Sequence, residues 1–197
     1  MSSGRTPSQT IGPFFHRALL RDGSDDLAAR GALGVQIVIA GRVLDGDGLP
    51  VTDAMVEIWQ ANAAGRYDHF DDRQAKPLDP AFHGFGRSAT DSDGYFRFRT
   101  IMPGAVRETG DFTHAPHINV SIFARGLLDR LVTRIYFPDE PLNATDPVLS
   151  AIPAPRRPTL IARRLGEEST NLGEESANRF SFDIILQGRA ETVFLDL

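Results

Sequence analysis

The stretch "THAPHINVSIFARG", residues 113–126, alternates polar and apolar side chains along its second half. Successive side chains of a β-strand point to opposite faces, so this alternation predicts a strand with one buried face. The apolar face carries Ile118, Val120 and Ile122, and the opposite face carries His117, Asn119, Ser121 and Phe123. A histidine two positions before a second polar residue is half of a metal-site pattern, but an asparagine amide is a poor ligand for most transition metals. The residues alone therefore leave open a lost metal site, an incomplete one, or one completed elsewhere.

The same period of two recurs along the chain and predicts a fold built from strands. The other predicted strands are "VQIVIAGRVLD" (35–45), "AMVEIWQ" (54–60), "GFGRSAT" (84–90), "YFRFRT" (95–100), "LVTRIYF" (131–137), "TLIARRL" (159–165) and "RFSFDIILQ" (179–187), with a short final segment "ETVFLDL" (191–197). Helical periodicity is weak throughout, and only residues 21–32 have room for one or two helical turns. We predict an all-β fold, a single β-sandwich of about eight strands over 35–197, preceded by an extended N-terminal arm and linker over 1–34.

Two loops carry sequence signals of their own. "DSDG" (91–94) separates two predicted strands and indicates a hairpin with a glycine-containing turn. It resembles the start of an EF-hand loop, but the position that needs a bidentate glutamate is Met102, so it is interpreted as a turn. The tandem "LGEESTN" and "LGEESAN" (165–178) is acidic and polar, and predicts a solvated hairpin loop without chemistry.

Composition excludes several classes of function. The 197 residues include no cysteine, which removes disulfides, thiolate catalysis, iron–sulfur clusters and cysteine-type zinc sites. A net charge of −5 argues against nucleic acid or an anionic membrane as the main partner. "MSSGRTPSQT" at the N-terminus lacks the apolar core of a signal peptide, and no run approaches membrane-spanning length. A cytoplasmic protein is expected.

Four ordered motifs point to a family. They are "TPSQTIGPFFH" (6–16), "VEIWQANAAGRYDH" (56–69), "PLDPAFHGFGRSATDSDGYFRFRTIMPG" (77–104) and "APHINVSIFARG" (115–126). Together they resemble the intradiol aromatic-ring dioxygenases, and the similarity runs from about residue 6 to the C-terminus. The chain lacks the long helical N-terminal region of relatives that act on catechol itself. It is more similar to the branch that acts on protocatechuate.

The resemblance implies an Fe(III) site that this chain has lost. Enzymes of that branch contain two homologous chains, α and β, and the iron-binding β chain uses two tyrosines and a His-x-His strand. The corresponding positions here are Gln74, Val106, His117 and Asn119, so three of the four ligands are missing. The resemblance therefore implies an α-type chain with no metal and no catalytic residue of its own, in which His117 packs or hydrogen-bonds. The cofactor Fe(III) is expected on a homologous beta subunit, within a higher-order alpha-beta oligomer.

The resemblance also implies that this chain lends residues to the partner's substrate pocket. Those positions are Thr10, Gly12, Pro13 and Arg125. An arginine supplies a permanent positive charge for the carboxylate of protocatechuate, although Arg125 could instead form a surface ion pair with Asp129. The expected reaction is cleavage of protocatechuate by dioxygen to 3-carboxy-cis,cis-muconate.

Two other functions stay open. The chain could be a non-catalytic β-sandwich carrier or interaction module that has kept the fold and lost the metal site. It could also be a self-sufficient enzyme with a different ligand set, for instance Tyr67 and His69 together with His117.

Overall fold

The computed structural model describes residues 10–12, 15–28, 31–107, 112–166 and 178–196. The strands are β1 (Gln36–Leu44), β2 (Met55–Gln60), β3 (Phe85–Ala89), β4 (Tyr95–Ile101), β5 (Val106–Arg107), β6 (Thr113–His114), β7 (His117–Phe123), β8 (Leu131–Tyr136), β9 (Arg163–Leu165), β10 (Arg179–Ser181) and β11 (Ile184–Ile185). Two short α-helices, α1 (Phe15–Leu19) and α2 (Pro147–Ala151), and two 3₁₀ turns, Pro141–Ala144 and Arg157–Leu160, complete the description. The predicted all-β class is confirmed.

Two sheets make up the sandwich. One sheet is antiparallel, in the order β3-β2-β7-β8. In the other, β1 pairs antiparallel with β4 on one side and parallel with β10 and β11 on the other, and β9 extends the sheet beyond β10. A separate two-stranded ribbon of β5 and β6 lies next to the start of β7 and carries Val106 into the region of His117.

The core fills the space between the two sheets. Its fully buried members include Ile37, Ile39, Phe98 and Phe180 from one sheet and Ile58, Ile118, Ile122 and Ile135 from the other. Along β7 the apolar set Ile118, Val120 and Ile122 is buried, whereas Asn119, Ser121 and Phe123 are only partly covered. The predicted two-faced strand is confirmed, and its polar face is the one that meets β5, β6 and the preceding loops.

The predicted hairpin across "DSDG" is wrong in its pairing. The turn itself forms, since the Gly94 N–H donates to the Asp91 carbonyl at 3.0 Å and Gly94 has φ +76°. The two flanking strands, however, belong to different sheets, because β3 pairs with β2 and β4 pairs with β1. A tight turn serves equally well to carry a chain from one layer of a sandwich to the other, which lets β3 and β4 pack their inner faces on a common core.

The C-terminal third contains shorter strands than predicted. The first half of "TLIARRL" lies in the 3₁₀ turn Arg157–Leu160, where Pro158 fixes φ and has no N–H to donate to a sheet. "RFSFDIILQ" is split into β10 and β11 where Phe182 crosses against Gly41, at which an added Cβ would lie 1.8 Å from the Phe182 carbonyl oxygen. Residues 191–196 form no strand.

The remaining expectations concern short segments. Residues 21–28 form turns and bridges rather than a helix, and the helical turn α1 was not predicted. β9 and β10 pair antiparallel, as a hairpin requires, but residues 167–177 of the duplicated segment lie outside the described residues. No described helix is long and apolar enough to cross a membrane.

Candidate functional site

An open cavity of about 590 Å³ lies at the start of β7. Three of the four expected ligand positions, Gln74, Val106 and His117, line it together with Tyr67 and Arg134. The fourth, Asn119, reaches the same place through hydrogen bonds to Tyr67 and Arg134. Positions that are up to 45 residues apart in sequence are therefore brought together at one cavity.

A directed chain of hydrogen bonds crosses this cavity wall. Nδ1 of His117 lies 2.7 Å from the Ala115 carbonyl oxygen, so it carries the proton and leaves Nε2 as an acceptor. The Tyr67 hydroxyl, 3.3 Å from Nε2, donates to it. Asn119 donates its amide N–H to the Tyr67 oxygen at 3.0 Å, and its amide oxygen accepts from Nε of Arg134 at 3.0 Å. Each donor is matched to one acceptor, which is what a buried polar network needs in the absence of a metal.

Both ring groups of this network are electrically neutral near pH 7. Burial, assisted by the positive charge of Arg134, lowers the pKa of His117 to about 4. Burial raises the pKa of the Tyr67 hydroxyl above its ordinary value, and this outweighs the opposite influence of Arg134 and Asn119. The imidazole and the phenol therefore both stay uncharged, in agreement with the hydrogen-bond directions.

Asp146 is buried next to this network and hydrogen-bonds to the residues around it. Its buried carboxylate accepts from the Tyr136 hydroxyl at 2.9 Å and from the backbone N–H groups of Ala115 and Leu149 at 2.9 and 2.8 Å. His114 Nδ1 lies 3.4 Å away. Burial alone would raise the pKa of this carboxyl, but these donors together hold it well below its usual range. Asp146 thereby caps α2 and ties the segment before β7 to the network.

The residues present do not fit a ferric ion. Fe(III) is stabilised by anionic oxygen donors, whereas Tyr67 has a raised pKa and Val106 has no donor atom. The amide of Asn119 is already used by Tyr67 and Arg134, and the guanidinium of Arg134 places a positive charge 3.0 Å from it. Within the described ranges, no group of three histidines or carboxylates is arranged to hold a metal ion.

The alternative ligand set of Tyr67, His69 and His117 does not assemble either. Tyr67 and His117 are bonded to each other, but His69 packs edge-on to Trp59 at a ring separation of 5.7 Å and against Phe70 at 4.4 Å. Its Nδ1 faces Asp71 at 3.7 Å instead of the other two side chains.

Tyr67 contacts two of the expected ligand positions, a role that sequence reasoning did not assign to it. Its hydroxyl contacts both His117 and Asn119, whereas the Gln74 amide turns to the Gly65 carbonyl at 3.2 Å and to Asp72 at 3.1 Å. The signal lay in the motif "VEIWQANAAGRYDH", which ends two residues after this tyrosine.

The predicted substrate-binding residues lie elsewhere on the molecule. The Gly126 N–H donates to the Thr10 hydroxyl at 2.9 Å, which places Thr10 beside Arg125. Gly12 lies on the same exposed arm, with open space around its Cα, and Pro13 lies outside the described residues. The Arg125 side chain is 69% exposed, and its Nε forms an ion pair with Asp53, not with Asp129 as the alternative prediction had it.

These two regions lie at opposite ends of β7. The strand runs from His117 to Phe123, and six steps of roughly 3.3 Å separate its ends by about 20 Å. Thr10 and Arg125 follow the far end, whereas Tyr67 and Asn119 lie at the near end. One small molecule cannot bridge both, so the Thr10–Arg125 surface faces outward, away from this chain's own cavity.

Comparison with known proteins agrees with this picture. A family model described as "Dioxygenase" matches residues 11–188. The protocatechuate 3,4-dioxygenase alpha chain of Pseudomonas putida is 41% identical over 204 aligned positions, which cover 97% of this chain and 96% of that one. This chain belongs to the intradiol dioxygenase family.

Members of this intradiol dioxygenase family include both chain types and solved structures. The protocatechuate 3,4-dioxygenase beta chain of Burkholderia cepacia is 47% identical over 163 positions, covering 81% of this chain and 68% of that one. The dioxygenase domain of a carbohydrate-binding fusion protein from Streptomyces sp. SirexAA-E superposes with a TM-score of 0.62 at 26% identity, covering 94% and 99% of the two chains. The chain is therefore similar to both subunits of a two-chain enzyme, and at nearly full length to the alpha chain.

Proposed function

We propose that this chain is the alpha subunit of a protocatechuate 3,4-dioxygenase. The enzyme would cleave 3,4-dihydroxybenzoate with dioxygen to 3-carboxy-cis,cis-muconate, at an Fe(III) site held by a homologous beta subunit. The observation that carries this proposal is the Arg134–Asn119–Tyr67–His117 hydrogen-bond network, which uses the donor atoms that a ferric ion would need. A family that requires iron must then obtain it from a different chain.

The exposed Thr10–Arg125 surface supports a role at the partner's pocket. Arg125 uses Nε for Asp53, and in a planar guanidinium this leaves the edge formed by the two terminal nitrogens directed away from Asp53. That edge matches the two oxygens of a carboxylate. Thr10 fixes the arm against Gly126 and so holds the N-terminal arm beside the arginine. In this role the chain supplies charge and shape for the aromatic acid, and forms no bond to the reacting atoms.

An apolar side chain on the surface supports association with another chain. Leu128, three residues after Arg125 in sequence, is 65% exposed. An exposed leucine beside the Thr10–Arg125 surface fits a surface that a partner chain covers. Alpha and beta chains both occur among the relatives, so the proposed partner is a beta chain, with protocatechuate and dioxygen as substrates and with several alpha-beta units in the assembly.

The competing proposal is an interaction module without enzymatic function. Loss of the metal is compatible with it, but it gives no reason for an arginine to be held exposed beside Thr10. Co-expression with a beta chain distinguishes the two proposals. We expect a stable complex that contains one iron per alpha-beta pair and cleaves protocatechuate. Purification as a monomer or homodimer that does not bind the beta chain would overturn the proposal.

A further inference from the structure

The guanidinium of Arg134 is half-buried and has no carboxylate among its described hydrogen-bond partners. Nε bonds to the Asn119 amide oxygen at 3.0 Å, and Nη1 lies 3.3 Å from His114 Nδ1 and 3.5 Å from the Tyr136 hydroxyl. Among the residues with described positions, none offers it a carboxylate within ion-pair distance. A positive charge that is partly removed from water and has no carboxylate in direct contact favours an anion in the adjoining cavity.

The acidic side chains near the cavity are occupied by other donors. Asp146 accepts from Tyr136, Ala115 and Leu149, and lies behind the network rather than on the cavity wall. Asp72 lines the cavity, but its carboxylate accepts the Tyr67 backbone N–H at 2.8 Å and Gln74 N–H groups at 3.0 and 3.1 Å.

The rest of the cavity rim adds positive charge. Asp71 lies at the solvent-exposed rim beside His69. Two further arginines, Arg73 and Arg107, line the same cavity. Among the described lining residues, Arg73 and Arg107 thus bring two further guanidinium groups to the cavity beside Arg134, together with the carboxylates of Asp71 and Asp72.

The remaining walls are aromatic or apolar. Trp59 packs edge-on to Tyr67 at a ring separation of 5.0 Å and to His69 at 5.7 Å, and Val106 faces them across the cavity. Tyr67 and His117 are neutral and add no negative charge. The volume of about 590 Å³ falls in the range of roughly 300–1,000 Å³ that is usual for small-molecule sites.

We propose that this metal-free cavity binds a small aromatic carboxylate, with the carboxylate against Arg134 and the ring against Trp59 and Tyr67. Recognition depends on the acid group and the flat ring. Ring hydroxyls are not required, because no metal is present to chelate them. The inference concerns this chain's own cavity and is independent of the reaction proposed for the partner's site.

Trp59 provides a direct probe, because it is the single tryptophan of this chain and lies in the cavity. The complex with the beta chain is prepared with 5-fluorotryptophan, and the ¹⁹F signal of Trp59 is assigned by its loss in the Trp59→Phe variant. Titration with benzoate is expected to shift this signal saturably. Catechol, which has hydroxyls but no carboxylate, is expected to leave it unchanged at the same concentrations.

A matched pair of variants tests the charge dependence without touching the network. Val106→Glu places a carboxylate on the cavity wall and is expected to weaken benzoate binding at least tenfold. Val106→Gln, of the same size and uncharged, is expected to retain binding within about threefold. Equal weakening by the two variants, a shift with catechol but none with benzoate, or no shift of the Trp59 signal up to 20 mM benzoate would each overturn the proposal.

Discussion

The hydroxyl of Tyr67 lies 3.3 Å from Nε2 of His117, and each of these two side chains is held by a second partner. His117 donates Nδ1–H to the Ala115 carbonyl, and Tyr67 accepts from Asn119. The Tyr67 phenol and the His117 imidazole could each bind a metal, but here they form a hydrogen bond with each other. A half-buried arginine at the end of the chain of bonds supplies the positive charge that a metal ion would otherwise bring.

The absence of metal binding is the first prediction. We expect the chain purified without a beta partner to contain less than about 0.1 iron per molecule and to lack visible absorption from a tyrosinate-to-iron charge-transfer transition. The reason is that Val106 offers no donor and that Arg134 repels a cation. Iron analysis and a visible spectrum after incubation with Fe(III) check this. Stoichiometric iron with that absorption would contradict the assignment as an alpha chain.

The network itself predicts a stability effect for Asn119. Asn119→Leu leaves the Tyr67 hydroxyl without its donor and Nε of Arg134 without its acceptor, at a cost of about 1–3 kcal/mol for each group left unsatisfied. We expect the free energy of unfolding, measured by urea denaturation, to fall by at least about 2 kcal/mol.

Ser121→Ala provides the matched control, since it changes a partly covered side chain on the same face of β7. We expect a change below about 0.5 kcal/mol. A similar loss of unfolding free energy in both variants would show that the hydrogen-bond network contributes no more to stability than an ordinary side chain on this face.

His117 predicts a dependence of stability on pH. Its pKa is about 4 when folded and about 6.5 when unfolded, so the unfolded chain binds the extra proton between these values. The stability contribution is therefore complete above pH 6.5 and is lost as the pH falls toward 4, by about 3 kcal/mol at most. Asp146 affects stability at lower pH than His117 does, because its folded pKa lies below the ordinary carboxyl value.

The pH prediction is checked by comparing wild type with His117→Gln in urea denaturation between pH 7 and pH 4.5. We expect the loss of stability across this range to be smaller in the variant by about 2 kcal/mol. His83→Gln serves as the control because the His83 side chain is 79% exposed. Identical pH profiles for wild type and His117→Gln would show that His117 is not buried in its neutral form.

Much of the fold follows from alternation, because opposite faces of one strand meet opposite environments. That reasoning places Ile118, Val120 and Ile122 in the core correctly. It does not specify which strand pairs with which, since a tight turn such as 91–94 can join strands in one sheet or in two. Alternation also does not predict the close contact between Phe182 and Gly41, which separates β10 from β11.

The site was predictable only in part. The resemblance assigned Val106 and His117 to lost ligand positions, and in the structure both line the same cavity. Arg134 carried no signal, because it meets Asn119 only through the register of β7 with β8. Tyr67 was named only in the alternative ligand set, because the sequence alone does not show that its hydroxyl reaches both His117 and Asn119. Contacts between residues on neighbouring strands can be predicted only when it is known which strands pair.

Arg125 provides the sharpest test of the proposed function. If its guanidinium holds the substrate carboxylate, Arg125→Ala in the alpha-beta complex should lower kcat/KM for protocatechuate by roughly 1.5–3 kcal/mol, or about ten- to hundredfold. Arg125→Lys should recover only part of the loss, since a single ammonium lacks the planar fork. Iron content and the visible spectrum should stay unchanged, because a guanidinium is not a metal ligand.

Catechol separates a role in substrate binding from a role in folding. It lacks the carboxylate, so its turnover should change less than about threefold in Arg125→Ala, whereas damage to the fold or to the subunit interface would lower both substrates alike. Arg189→Ala, another exposed arginine on this chain, should leave both substrates unaffected. An equal loss for protocatechuate and catechol would show that Arg125 acts structurally, through its ion pair with Asp53, and that it does not anchor the substrate.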